Sequence, residues 1–277
     1  MLAAAGLAAL VGVQLGGWQR FALEAMLRRH DGHWASWENS VVVPRQNGKS
    51  VILLIRALAG ALLFDERLVI VSAHEWRTVV ELFRTCTEWV MNSPVRREVR
   101  NVRRAGGEEA IEFTNGNRIR FLNRSTQSGR GFSVGCVILD EAHTVTSEQM
   151  AALLPTLSAQ KDPQIVYAAH GPAASAWHLS RLRQRVQTGD VDRLCWLEWS
   201  ADPDGDTEAE AAWLAANPAI GEPFCALNVQ RMREERASLG FDGFRAERLA
   251  CGPWPSELDG AYGLFSPDDL KSLFGRS

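Results

Sequence analysis

Short continuous apolar runs alternate along this chain with longer stretches in which apolar residues recur every three or four positions. Val41, Val42 and Val43 form the first run, and residues 67–72, 136–139, Gln164–Ala169 and 194–199 form the others. Runs of this length, β-branched and bounded by polar turns, predict buried strands. Helical patterns lie between them, over 51–63, 73–91, 144–157 and Trp177–Gln187. Strand and helix in alternation predict an α/β fold, a mostly parallel sheet flanked by crossover helices. Asn115 and Gly116 sit between two alternating runs, 109–113 and 118–123, and predict a β-hairpin.

Both ends of the chain read as helical. The first fifteen residues are small and apolar, and residues 16–30 place Phe21, Leu23, Met26 and Leu27 at helical spacing. Beyond an acidic turn at 202–206, the patterns over 208–216, 228–239 and 241–249 are helical, punctuated by Pro218, Pro223, Pro253 and Pro255. The expected organisation is a core over 1–200, a small helical C-terminal lid subdomain over 201–260, and over 261–277 the start of a linker toward a further unit.

Composition narrows the function classes only a little. Of 277 residues, 46% are hydrophobic and 23% charged, which is ordinary for a globular chain. The formal net charge of −3 supplies no global field for nucleic acid and leaves that role to local arginine clusters. One cluster, Arg96, Arg97, Arg100, Arg103 and Arg104, reads as a solvated face or loop, or as a DNA-contacting loop. The five cysteines are widely spaced with no Cys-x-x-Cys, so neither a zinc site nor a disulfide framework is indicated. The apolar N-terminal stretch lacks a preceding positive region and is too short to span a bilayer, so no membrane contact is expected.

The chemistry gathers at two places. After the first strand come Pro44, Arg45, Gln46, Asn47, Gly48, Lys49 and Ser50, and then a helix. Strand, turn with Gly-Lys-Ser, helix is the arrangement of a phosphate-binding loop. Turn amides and the helix N-terminus offer donors to phosphate, Lys49 adds a mobile charge, and Ser50 offers a hydroxyl to Mg²⁺. Val43 stands where the usual pattern has its first glycine. The chain has three lysines, which makes chance placement of one here less credible.

The second place is the run ending in Leu139, followed by Asp140, Glu141, Ala142 and His143. Acids at the carboxyl end of a buried strand face the edge where ligands bind in open α/β sheets. Asp140 would hold the metal through its waters, and Glu141 would polarise the attacking water. The two motifs together predict an ATPase with ATP and Mg²⁺ as cofactors. Upstream, Trp18 and Gln19 suit an adenine-side contact, because an amide both donates and accepts; a buried Trp18 at a helix start is the other reading. His170, after the strand at 164–169, is placed to sense the γ-phosphate or to serve the core.

Trp18 with Gln19, the stretch from Pro44 to Ser50, the polar loop with Ser128, Gly129, Arg130 and Gly131, and the run from Val137 to His143 resemble the large terminase subunit of tailed bacteriophages. The resemblance covers about residues 14–260. It implies a P-loop NTPase fold of the RecA/ASCE type and the ATP-driven packing of double-stranded DNA into proheads. It also implies a homo-oligomeric ring, a pentamer on the portal, with portal protein and small terminase subunit as partners in the cytoplasm of the infected bacterial host. By position, Arg45, Lys49 and Ser50 look like phosphate and Mg²⁺ contacts, and Pro44, Gln46, Asn47 and Gly48 like the rest of the nucleotide loop. Asp140 looks like the magnesium carboxylate and Glu141 like the catalytic glutamate. Arg130 looks like an arginine finger for the neighbouring subunit, since a guanidinium suits charge on a transferring phosphoryl group.

Two departures qualify the resemblance. Ala169, His170 and Gly171 stand where the family's coupling motif carries a small hydroxyl residue. Nothing after Pro255 is long enough for the family's nuclease domain, so no DNA cleavage by this chain is expected. A helicase or remodelling translocase of the same P-loop class, and a nucleotide-dependent assembly module that does not cycle, are the competing readings.

Overall fold

The structure, a computed structural model, describes residues 2–124 and 133–256. Arg130 with its glycine-rich loop, and the stretch 261–277, therefore lie outside the described residues. The chain opens with helices α1 (Leu2–Leu10) and α2 (Gly17–Met26), a short hairpin of β1 (Arg29–His30) and β2 (His33–Trp34), strand β3 (Glu38–Val42) and helix α3 (Lys49–Leu63). Strand β4 (Leu68–Ala73), helix α4 (Trp76–Met91), and strands β5 (Val99–Arg103), β6 (Ala110–Phe113), β7 (Arg118–Asn123) and β8 (Cys136–Leu139) follow. Then come α5 (Ser147–Ser158), β9 (Gln164–Ala169), α6 (Trp177–Gln187), β10 (Leu194–Glu198), α7 (Glu210–Ala216) and α8 (Val229–Leu249).

Eight strands form one sheet in the order β10-β3-β9-β8-β4-β7-β6-β5. The first six run parallel, and β6 and β5 close one edge antiparallel. This is the mostly parallel α/β sheet that the alternating pattern predicts. Side chains of a strand point alternately to the two faces, and β8 shows the consequence. Cys136 and Ile138 join one apolar cluster with α1 to α4, while Val137 and Leu139 join a second with α5 and α6. The N-terminal apolar stretch is the helix α1, with Leu7 and Ala8 buried in the first of these clusters.

Three features differ from the sequence pattern. Strand β3 begins at Glu38, ahead of the valine run, and all five of its residues are buried. Two of its buried polar side chains find the partners that burial demands. Asn39 Oδ1 accepts from Ser36 Oγ (2.7 Å), and Glu38 pairs with Arg185 Nη1 (2.8 Å). The basic stretch, expected as a solvated face or a loop, is a solvated face on an unexpected strand, with a 3-10 turn over Pro94–Glu98 followed by β5. Val99 and Val102 pack on the core while Arg100, Asn101 and Arg103 face solvent, and charge of this kind is normal on an edge strand. The hairpin of β1 and β2 turns at Asp31 and Gly32, both with positive φ (49° and 80°), a local Asp-Gly signal.

At the amino edge of the sheet a buried polar knot ties α3 to the strands. Arg56, fully buried, gives two parallel bonds to Glu66 (2.9 and 2.6 Å) and two to Gln164 Oε1 (3.1 and 2.8 Å). Gly60 makes room for it, since a Cβ there would lie 2.0 Å from Glu66 Oε2. Helices α7 and α8 carry a third cluster of their own, centred on Trp213, Met232 and Phe244. Gly240 (φ 72°, ψ 179°) breaks α8 into two helical halves, which is why the sequence reads as two helices.

Candidate active site

Because β3, β4, β7, β8 and β9 are parallel, everything that follows their last residues lies along one edge of the sheet. That edge receives the loop 43–48, then His74 and Glu75, Arg124, the pair Asp140 and Glu141, and His170. Strand β9 lies between β3 and β8, so His170 emerges between the loop and the acids.

The loop turns through two left-handed residues, Gln46 (φ 71°) and Gly48 (φ 82°). Gly48 is required twice. It holds a positive φ, and a Cβ on it would lie 2.8 Å from Gln19 Nε2. It caps a fifteen-residue helix whose N-terminus has no side-chain cap, so the first amides of α3 are available to an anion. Lys49, in the first turn, reaches Asp140: Nζ to Oδ1 is 3.3 Å, with both side chains largely buried. Asp140 Oδ1 also accepts from the Glu141 amide at 2.9 Å. Ser50 is exposed on the same turn. A serine hydroxyl and one carboxylate are a sufficient protein donor set for Mg²⁺, which keeps most of its waters. Among the described residues no group of three His, Cys, Asp or Glu is placed to hold a metal.

Glu141 sits in the left-handed region (φ 53°), and its side chain reaches the start of α4. Its Oε2 accepts from the amides of His74 (3.0 Å) and Glu75 (3.3 Å), and its Oε1 from Thr78 Oγ1 (3.2 Å). A carboxylate in that place is favoured by the unpaired donors and the dipole of a helix start. Arg124, which follows β7, fastens the acid turn from the other side. It donates through Nη1 to the Glu141 carbonyl (3.3 Å) and to Thr144 Oγ1 (3.0 Å), and through Nη2 to the Asp140 carbonyl. Burial lowers its pKa to about 10.

Two histidines stand beside the pair. The rings of His143 and His170 meet edge to face with centroids 4.2 Å apart. Burial, with the charge of Lys49 second, lowers the pKa of His143 to about 4. Burial, with His143 second, lowers that of His170 to about 3. Both are therefore neutral near pH 7.

The upstream pair is placed differently from an open adenine contact. Gln19 is fully buried, its Oε1 accepting from the Gly16 amide (3.0 Å) and its Nε2 donating to the Gly48 carbonyl (3.0 Å). It thus ties the start of α2 to the loop. Trp18 is buried against Trp199, with ring centroids 5.2 Å apart. Arg45 turns outward and pairs with Glu247 of α8 (2.7 Å).

The helical unit of α7 and α8 is joined to the loop through a buried amide pair. Asn47 Nδ2 donates to the Pro44 carbonyl (3.1 Å) and to Asn217 Oδ1 (2.8 Å), while Asn47 Oδ1 accepts from the Ala219 amide (3.1 Å). Asn217 donates in turn to the carbonyls of Trp213 (2.9 Å) and Arg248 (2.7 Å), and Arg248 Nη1 donates to the Arg45 carbonyl (2.9 Å). Thr78, Arg124 and Asn217 carry no local motif, so sequence reasoning missed them. Asn217 lies 170 residues from its partner.

No family model matches the sequence, and no curated protein matches it. Solved structures do. The chain is similar to the large terminase of bacteriophage HK97, with a TM-score of 0.74 and 18% identity over 86% of this chain and 50% of that one. It is similar to the large terminase of a thermophilic bacteriophage in complex with ADP, at 0.60 and 13% over 87% of this chain and 54% of that one. It is also similar to the large terminase ATPase domain of Thermus phage P74-26, at 0.60 and 15% over 87% of this chain and 95% of that one. The chain thus spans about half the length of the first two proteins and nearly all of the third. The shared fold is a mostly parallel α/β sheet flanked by helices.

Proposed function

We propose that this chain is a Mg²⁺-dependent ATPase that drives double-stranded DNA into a phage prohead. The observation that carries the reading is the Lys49–Asp140 pair, 3.3 Å apart at the carboxyl edge of a parallel sheet, with Glu141 next in the chain. An ammonium and a carboxylate poised against each other beside an uncapped helix start are separated by a nucleotide that gives each its own partner. The thermophilic phage's terminase of like fold holds ADP, which supports a nucleotide here.

In this reading the α3 amides and Lys49 bind the β- and γ-phosphates, with Arg45, Pro44, Gln46, Asn47 and Gly48 shaping the loop. Ser50 and Asp140 would hold Mg²⁺, which supplies charge neutralisation on the phosphates. Glu141 polarises the attacking water, and His170 reports the γ-phosphate. Arg130 acts from a neighbouring subunit, which makes a ring the working unit. The ring would be a pentamer docked on the portal, fed by the small terminase subunit, in the host cytoplasm. Among the described residues no helix is long and apolar enough to cross a membrane. The helical unit 201–260 serves as a lid, and its bonds to the loop through Asn217 support that.

The hold of α4 on Glu141 favours one second reading, a nucleotide-dependent module that binds ATP without cycling. Phosphate release and ATP binding, measured on wild type, Lys49→Ala and Glu141→Gln, decide between them. The ATPase reading expects Lys49→Ala to lose binding, and Glu141→Gln to bind ATP with turnover reduced at least about 100-fold. Wild-type binding without turnover, in the presence of double-stranded DNA and with the chain assembled into rings, supports the module and sinks the ATPase.

A further inference from the structure

Phe224 is a large apolar side chain left 40% exposed, and it belongs to none of the three apolar clusters. Its ring lies against two glycines instead. A Cβ on Gly16 would sit 3.0 Å from Phe224 Cζ, and one on Gly48 would sit 3.8 Å from Phe224 Cε2. The ring is therefore wedged where the start of α2 meets the phosphate loop. The segment leading into it is fastened to the loop and to α2: Ala219 N donates to Asn47 Oδ1 (3.1 Å), and Glu222 Oε1 accepts from Gly17 N (2.8 Å). Glu222 is further bonded through its own amide to the Ala219 carbonyl (3.0 Å) and through its carbonyl to Cys225 N (3.0 Å). An exposed aromatic ring thus lies beside the loop at the end of a segment fastened by polar bonds, with no core packing of its own.

We infer that Phe224 is the stacking platform for the purine base of the bound nucleotide. The inference rests on the proposed phosphate site, because one ribose separates the phosphates from the base and so places the base close to the loop. The residues upstream leave this task open. Both polar groups of Gln19 are spent on Gly16 and Gly48, and Trp18 is buried against Trp199. Phe224 offers what they do not, an aromatic ring that is exposed and set beside the loop. Stacking on it accepts any purine, and a lid residue in contact with the base links base binding to the position of α7 and α8.

The test is titration calorimetry of the whole chain with Mg·ATP and, separately, with Mg·tripolyphosphate, which has the phosphates and no base. Phe224→Ala is expected to weaken ATP roughly tenfold, in line with the worth of one base–aromatic stack, and to leave tripolyphosphate unchanged. Phe224→Leu keeps apolar bulk without a π face and should weaken ATP as well, while Phe224→Trp should retain it. Unchanged ATP affinity in Phe224→Ala, with both ligands lost in Lys49→Ala, overturns the platform and leaves the phosphate site standing. Equal losses of both ligands in Phe224→Ala also overturn it, since that marks a structural role. If the wild type binds neither ligand, the phosphate site fails and the platform with it.

Discussion

Thr78 Oγ1 lies 3.2 Å from Glu141 Oε1, so the first turn of α4 holds the acid that follows β8. The same carboxylate takes the amides of His74 and Glu75. Three donors fix this acid toward α4, although a carboxylate has about four acceptor sites, and swinging it toward a water elsewhere costs some of those bonds. Removing the one donor that is a side chain should loosen this hold while the amides retain part of it. Thr78→Val is expected to raise ATP turnover about two- to tenfold, the scale of losing part of a charged hydrogen bond, and Thr78→Ser to leave it as it is. Steady-state phosphate release measures both. A fall in Thr78→Val turnover would mean that Thr78 supports the active geometry.

Arg124 makes three bonds to the acid turn, two of them to the backbone carbonyls of the acids themselves. Its planar fork reaches the carbonyls of Asp140 and Glu141 together, a task that a single ammonium does not reproduce. Arg124→Lys should therefore fare little better than Arg124→Ala. Both are expected to lose roughly 100-fold in kcat, the cost of a misplaced reacting group, with ATP affinity close to wild type. Turnover and calorimetric ATP binding on the same samples check this. Equal loss of kcat and of ATP affinity would show a collapsed site instead.

What the sequence made legible follows from how local each signal is. The valine run before Gly48, Lys49 and Ser50, and the apolar run before Asp140 and Glu141, are contiguous, so their strands and their shared edge could be read. Strand β9 is a contiguous apolar run after Gln164, and α6 is a basic helix that still sets Leu179 and Leu182 three apart, so the structure has both at the expected bounds. Strand β5 was hidden because an edge strand needs only two apolar contacts, Val99 and Val102, among its arginines. The first half of β3 was hidden because Glu38, Asn39 and Ser40 are polar residues buried in a central strand. Thr78, Arg124 and Asn217 were illegible for a different reason. Each acts through a partner far along the chain, and one sequence carries no record of such pairings.

The histidine pair gives a pH dependence with a definite sign. Each imidazole has a folded pKa lowered from 6.5, to about 4 for His143 and about 3 for His170, mainly by burial. Below 6.5 the unfolded chain takes up protons that the folded chain refuses, so the stability contributed by these groups is whole above that value. It is lost as the pH falls through the interval toward the folded values. Thermal unfolding midpoints should hold steady from pH 8 to about 7 and drop between about 6.5 and 5, before most carboxylates titrate. His178, also lowered to about 4 by burial, contributes in the same direction. The double variant His143→Gln, His170→Gln is therefore expected to show a shallower drop than wild type, with the remainder due to His178. Identical slopes for the two proteins would contradict the assigned shifts.

The amide pair between Asn47 and Asn217 predicts a measurable coupling between the phosphate loop and the helical unit. Asn217 is 1% exposed, and its side chain makes one bond to Asn47 and two to carbonyls of α7 and α8. Asn217→Ala leaves those two carbonyls and the Asn47 amide without this partner in a site closed to water. Loss of buried partners costs about 1–3 kcal/mol, which urea unfolding resolves. Asn47→Ala removes the same bond and also the one to Ala219 N, so its cost should be at least as large. In the double variant the shared bond is lost once, and the two costs should fall short of adding by about 1 kcal/mol. Additive costs, within about 0.5 kcal/mol, would show that loop and helical unit are held together by other contacts. If coupling is found, Asn217→Ala should also weaken ATP, because the buried Asn47 shapes the loop from inside through the Pro44 carbonyl.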